Sequence, residues 1–268
     1  MPSNALFTKM ASISSIAARI PHPLALLIVP VLGFSASTAY AEKVLVAVAS
    51  NFTAPMNDIA HSFEAATGHD VTLSFGSSGK LFAQIRNGAP YHLFLSADQE
   101  KPLKLAQAGF SVPDTQFTYA LGRLALWSAE TDIQPLKKLK AGDFTRLALA
   151  NPRLAPYGEA AIRTLSSLDL EQTTRRKRVT GENINQTWQF VSTGNAQLGF
   201  VALSQVTSDG HVTSGSAWII PPERHQTIRQ DAILLPKGTD NAAARALLDY
   251  LQSDETANII RRYGYDKP

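Results

Sequence analysis

The chain reads as an α/β protein of two lobes, and three observations predict this. Short apolar, strand-like runs alternate with helical patterns from residue 43 onward. A second alternating segment follows the first, from Arg123. About 227 residues remain once an N-terminal leader is set aside, enough for two lobes of roughly 110 residues each.

The elements follow in order. Lys43-Val44-Leu45-Val46-Ala47-Val48-Ala49 is nearly continuous in apolar residues, as in a strand buried on both faces. Met56, Ile59, Ala60, Phe63 and Ala66 recur at helical spacing, and Gly68 closes that helix. Val71 to Phe75 alternates as a second strand. Leu81, Phe82 and Ile85 mark a helix ending near Asn87-Gly88. Tyr91 to Leu95 forms a third strand, leading through Ser96-Ala97-Asp98 into a helix that closes at Gly109. This βαβαβα order requires parallel strands with ligands at their carboxyl ends.

In the second segment, 123–127, 147–150 and 197–203 read as strands, with helices over 159–168 and 186–192. The end is helical, over 241–252 and 254–263, with Asp254 placed as an N-cap. These terminal helices pack back onto the first lobe. The chain then crosses between lobes twice, near Tyr119–Arg123 and near Gln230–Leu234, which makes a hinge and a cleft.

Two polar turns carry the functional signal. Ser50-Asn51-Phe52-Thr53 and Gly76-Ser77-Ser78-Gly79 each follow a strand and open a helix. Such a junction aims unpaired backbone N–H groups and the positive end of a helix dipole at one place, and hydroxyl and amide side chains add neutral donors. Two of them in one α/β unit suggest an anion held between Ser50, Asn51 and Ser78.

Other chemistries fail on the residues. A P-loop needs glycine at position 74 and Ser or Thr at 81, where Ser74 and Leu81 stand; a G-x-S-x-G elbow on Ser78 needs glycine in place of Lys80. The six histidines lack metal-ligand spacing, and there is no cysteine for thiol chemistry or a disulfide framework. Arg175-Arg176-Lys177-Arg178 reads as a solvated edge or loop. Trp127, Trp188 and Trp218 read as core residues isolated from one another.

Residues 1–41 read as a cleaved signal peptide, with Lys9 and Arg19, an apolar stretch from Leu24 to Leu32, and Ala39-Tyr40-Ala41 before Glu42. Lys9 and Arg19 are the only charged residues before Glu42. The rest therefore carries a net +1 against +3 for the whole chain, and its balance gives no argument for nucleic-acid binding.

Several motifs stand in order along the chain: Ala47 to Phe52, Phe75 to Gly79, Leu93 to Asp98, Asn151-Pro152 through Ala155-Pro156-Tyr157-Gly158, Gly181 to Ile184, Leu198 to Val201, and Arg262-Tyr263-Gly264. Together they resemble the periplasmic molybdate-binding proteins of ABC importers. The resemblance implies a two-lobed periplasmic-binding-protein fold (type II-like), with two Rossmann-like lobes joined by a double-crossing hinge. Residues 42–122 plus 232–268 would form lobe 1 and 123–231 lobe 2.

It also implies high-affinity binding of molybdate or tungstate in the periplasm, delivery to a membrane permease, no catalysis, no cofactor, no nucleic acid and a monomer. Carried over by position, Ser50 and Ser78 donate through hydroxyl and backbone N–H, and Tyr157 and Ile184 donate backbone N–H from the second lobe. No metal cation is ligated, since molybdate is bound as an oxyanion. One departure is Ala202, where many members place a tyrosine hydroxyl; the Asn51 amide is expected to donate instead. A second is His92, where an acidic residue is common. The alternatives are a sulfate or thiosulfate carrier, an anion-sensing regulatory domain, or an enzyme, for which the turns offer no acid–base pair.

Overall fold

Two five-stranded sheets carry the chain. The structure is a computed structural model in which residues 41–268 are described. The expected leader, apart from Ala41, lies outside the described residues.

The first segment runs β1 (Lys43–Ala49), α1 (Thr53–Thr67), β2 (Asp70–Gly76), α2 (Ser78–Arg86), β3 (Leu93–Leu95), α3 (Glu100–Gln107) and β4 (Phe117–Gly122). The second runs β5 (Leu124–Ser128), α4 (Pro135–Ala141), β6 (Leu147–Ala150), α5 (Pro156–Ser167), α6 (Glu171–Thr174), β7 (Arg178–Gly181), α7 (Ile184–Ser192) and β8 (Leu198–Ala202). A two-stranded hairpin, β9 (Thr207–Ser208) and β10 (His211–Val212), then leads to β11 (Ser216–Ile219). The chain ends with β12 (Ile228–Leu234), α8 (Ala242–Tyr250) and α9 (Asp254–Arg262).

The first sheet has the order β2-β1-β3-β12-β4. β1 pairs in parallel with β2 and β3, as the βαβαβα pattern requires, and β12 enters antiparallel to both β3 and β4. The second sheet has the order β11-β5-β8-β6-β7, parallel among β6, β7 and β8 and antiparallel from β5 outward.

The chain passes from one sheet to the other at Arg123, and back between Ile219 and Ile228. The sequence reading puts the second crossing at Gln230–Leu234 and a boundary at 231/232. Those residues lie inside β12, hydrogen-bonded into the first sheet.

Burial explains the elements. β1 buries Val44, Val46, Ala47 and Val48 completely, so its apolar run serves both faces of the sheet. Met56, Ile59 and Phe63 form the buried face of α1, each worth roughly 1.5–3 kcal/mol of transfer free energy. Gly68 follows in the left-handed conformation that ends the helix (φ 73°). Ala243, Leu247, Ile259 and Ile260 of the last two helices join this same core, so the terminal helices do return to the first sheet.

Three local expectations are corrected. The cap of α9 is Ser253, whose hydroxyl accepts the Thr256 N–H at 3.2 Å, while Asp254 is the first helical residue. Trp127 and Trp188 are not isolated: their rings stack with centroids 6.4 Å apart, because β5 and α7 bury the same face of the second sheet. The basic run does lie at a sheet edge, leading into the outermost strand β7, with Arg175 and Arg176 exposed, but it is only partly solvated. Arg178 is half-buried in β7 with its guanidinium on Thr174 and the Glu171 carbonyl, and the Lys177 ammonium sits 4.7 Å from the centre of the Phe144 ring.

His92 gains a structural role. Its Nδ1 accepts the Leu45 N–H at 3.2 Å, and burial lowers its pKa below the usual imidazole value. The folded state therefore binds fewer protons than the unfolded chain, whose histidines titrate near ~6.5. The contribution is complete above that pH and is lost as pH falls through the lower folded value. His92→Asn, which keeps an acceptor without the titration, is expected to lose less Tm between pH 7.5 and 5 than the parent, as measured by circular dichroism.

Candidate functional site

Four strand ends deliver the candidate residues to one place. Ser50 and Asn51 follow β1 in a 3-10 turn that runs directly into α1. Ser78 is the first residue of α2 after the cap Ser77. Tyr157 is the second residue of α5, after β6 and Pro156, and Ile184 opens α7 behind the cap Asn183.

Each position lies in the first helical turn, where a backbone N–H has no carbonyl four residues back to receive it. All five residues line a single small cavity, together with Ala97 from the turn after β3. Its volume is about 10 Å³, close to the least that holds a single water molecule. No charged side chain lines it.

The caps divide labour between neighbouring polar residues. Ser77 spends its hydroxyl on the Lys80 N–H (3.4 Å) and Asn183 its carbonyl on the Gln186 N–H (3.0 Å). Ser78 is left facing the cavity, and its Oγ accepts the Ala97 N–H at 2.9 Å.

Asn51 reaches the cavity, but its amide does not match its expected role. Both Nδ2 hydrogens have protein acceptors, Gln230 Oε1 at 2.6 Å and the Tyr265 hydroxyl at 3.0 Å. The Asn51 backbone carbonyl accepts from the Tyr265 hydroxyl (2.8 Å) and from the Ser204 hydroxyl (2.9 Å). The side chain is therefore a tie that fixes the Ser50-Asn51 turn. Ala202, the other half of that expectation, is fully buried among apolar residues of the second sheet.

Gln230 is the centre of this tie. It is fully buried; its Oε1 also stands 3.2 Å from the Tyr119 hydroxyl, and its Nε2 stands 3.5 Å from the Tyr157 hydroxyl. Burial pushes the Tyr119 and Tyr157 phenols well above their ordinary pKa and that of Tyr265 up to about 12. All three stay neutral hydroxyls across the working pH range.

Contacts between the two sheets' elements surround the cavity. The Gly79 N–H donates to the Leu154 carbonyl at 2.8 Å, and Asn185 Nδ2 donates to Thr53 Oγ1 at 3.1 Å. A Cβ on residue 79 would stand 3.0 Å from the Leu154 backbone, so a larger residue there would press the two segments apart by a few tenths of an ångström. The nearby charges are paired outside the cavity: Lys80 with Glu182, Glu159 with Arg163, and Asp98 with Lys101. Among the described residues no helix is long and apolar enough to cross a membrane.

The strand-end turns Ser50-Asn51 and Ser78 are legible in the sequence. Ala97, Gln230 and Tyr265 are missed. Leu93 to Asp98 stands out as a motif, but a backbone donor at Ala97 has no side-chain signature.

This geometry can be set against known proteins. The family model described as bacterial extracellular solute-binding protein matches residues 44–266. The chain belongs to the bacterial extracellular solute-binding proteins. Within this family, a protein of Azotobacter vinelandii named molybdate-binding protein ModA is 51% identical over 236 residues, 87% of this chain and 93% of that one. One of the same name from Rhodobacter capsulatus is 45% identical, over 85% of this chain and 89% of that one. The solved structure of the Azotobacter vinelandii periplasmic molybdate-binding protein superposes with a TM-score of 0.81 at 35% identity, covering 84% of this chain and 99% of that one. The periplasmic-binding-protein fold is thus shared, two mixed α/β sheets included.

Proposed function

We propose that this solute-binding protein binds molybdate, and tungstate with it, at the cavity shared by Ser50, Asn51, Ser78, Tyr157 and Ile184, and that it delivers the anion to an ABC import permease. The observation that carries the reading is the wholly uncharged cavity at four converging helix starts. The names of the similar Azotobacter and Rhodobacter proteins supply the anion.

Neutral donors suit a buried dianion. Dipoles held by the fold offset its lost hydration without a buried lysine or arginine, whose own desolvation would be costly. Hydrogen bonds to a charged group are each worth roughly 1.5–3 kcal/mol net, so several together support tight binding. Ser50 and Ser78 supply hydroxyl and backbone N–H, Tyr157 and Ile184 supply backbone N–H, and Asn51 holds the first turn and offers its backbone N–H. The two sheets act as lobes, residues 42–122 with the C-terminal segment forming one and 123 onward the other, and they close on the anion. Residues 1–41 act as a leader for export, and the mature protein works in the periplasm as a monomer without catalytic activity.

Calorimetric titration tests this. Molybdate and tungstate are expected to bind about equally and sulfate far more weakly; comparable sulfate binding would move the assignment to a sulfate carrier. Ser78→Ala is expected to cost about 1–3 kcal/mol of molybdate affinity, a loss of roughly 5- to 150-fold. An unchanged dissociation constant would remove Ser78 from the site.

A further inference from the structure

Three polar contacts join elements of the two sheets beside the cavity. The Gly79 N–H reaches the Leu154 carbonyl at 2.8 Å, Lys80 pairs with Glu182 at 2.8 Å, and Asn185 Nδ2 donates to Thr53 Oγ1 at 3.1 Å. The ion pair is about half exposed on both sides (51% and 46%), so solvent screens it and it holds the sheets only weakly. The first contact is backbone to backbone. The third is partly buried, and it is the middle of a longer chain of bonds.

That chain has one possible direction. The Ala202 N–H can only donate, and it donates to Gln205 Oε1 at 3.0 Å. Gln205 Nε2 is thereby turned toward Asn185 Oδ1, 2.8 Å away, and toward the Ile184 carbonyl at 3.3 Å. With its oxygen engaged, Asn185 presents Nδ2 to Thr53 Oγ1. Thr53 then gives its own proton to the Ser50 carbonyl at 2.8 Å, a group that can only accept. The Thr53 N–H bonds the same carbonyl. The bonds thus run from the second sheet to the turn of Ser50 with no donor facing a donor. Asn183 already caps α7, which leaves the Asn185 amide free for this task.

We propose that Thr53 and Asn185 are positioning residues that tie the Ser50 side of the cavity to the Ile184 side and so hold the bound anion against release. Asn185 follows Ile184 in the first turn of α7, and Thr53 is bonded to Ser50, so parting the two sides breaks the Asn185–Thr53 bond. The bond is absent while an anion enters and present once it is enclosed. Its contribution therefore falls on the dissociation rate and leaves the encounter rate alone. Neither side chain lines the cavity, so the effect does not pass through contact with the ligand. This inference rests on the reading, given under the proposed function, that two lobes close on an oxyanion.

The experiment measures release and affinity on the full-length mature protein. Bound radiolabelled molybdate is chased with excess unlabelled anion, calorimetry gives the dissociation constant, and the two together give the association rate. Thr53→Val and Asn185→Ala are each expected to speed release about fivefold, with association within about twofold of the parent. Thr53→Ser keeps the hydroxyl and is expected to release at close to the parental rate. The double variant is expected to release about as fast as either single one, not at the roughly 25-fold of independent effects. The same cycle read as the Tm of ligand-free protein is expected to be additive, since the bond forms only across the closed cavity. Thr53→Ala takes the place of Thr53→Val if that variant does not fold. Multiplying effects on release, a Thr53→Ser variant as fast as Thr53→Val, a loss confined to association, or equal coupling in the ligand-free Tm overturns the proposal and leaves the oxyanion reading intact. Failure of the parent protein to retain molybdate or another oxyanion sinks the reading itself, and the proposal with it.

Discussion

Gly158→Ala is expected to lower stability and ligand affinity together, by more than any other single methyl addition near the site. Gly158 lies in the first turn of α5, where the helix presses on the end of β6. A Cβ there would be driven against the Ala150 carbonyl oxygen, with the Ala150 and Asn151 carbonyl carbons at 2.8 and 2.9 Å. All of these atoms are backbone, so no side chain can swing aside, and the helix start itself must move. Overpacking of this kind costs typically ~1–3 kcal/mol, a Tm loss of roughly 3–10 °C in a protein of this size. The displaced turn carries the Tyr157 N–H, so molybdate affinity should fall as well. Thermal unfolding followed by circular dichroism and calorimetric titration read the two effects. A variant with parental Tm and affinity would show that α5 is not seated on β6 as described.

Gln230→Leu should be nearly as damaging, for a different reason. The substitution keeps an apolar volume but deprives the Asn51 amide and the Tyr119 and Tyr157 hydroxyls of their shared partner in a fully buried place. Tyr119 still has the Ser96 carbonyl and Asn51 still has Tyr265, so the loss is partial at those two, while the buried Tyr157 hydroxyl loses its Gln230 partner. At about 1–3 kcal/mol for a buried group left without a partner, a total of roughly 2–4 kcal/mol is expected in urea unfolding. Affinity should fall with it, because the same tie fixes the Ser50-Asn51 turn on one side of the cavity and Tyr157 on the other. A change below about 1 kcal/mol would mean that the network contributes little to the fold.

The two variants mark the limit of what residue patterns reveal. Strand–turn–helix junctions are local: an apolar run, a polar turn and a 3.6-residue period place Ser50 and Ser78 at helix starts without knowledge of the rest of the chain. The role of Asn51 is different, because the acceptors that claim its amide, Gln230 and Tyr265, lie 179 and 214 residues away. The carry-over from relatives leads to an amide that donates to the ligand, whereas the packing makes that amide a tie. The stack of Trp127 on Trp188 and the antiparallel entry of β12 were hidden for the same reason, since each depends on which segments meet.

By itself the sequence determined the alternation of elements, the two polar turns and their place at strand ends, because those follow from periodicity and backbone rules acting over a few residues. The tertiary structure alone decided that four helix starts converge on one uncharged cavity, that Ala97 joins them, and which polar side chains face that cavity and which hold its wall. The physical reason is that hydrogen-bond donors are finite. A side chain's proton goes to whichever acceptor the fold brings within about 3 Å, and only the folded chain decides which acceptor that is.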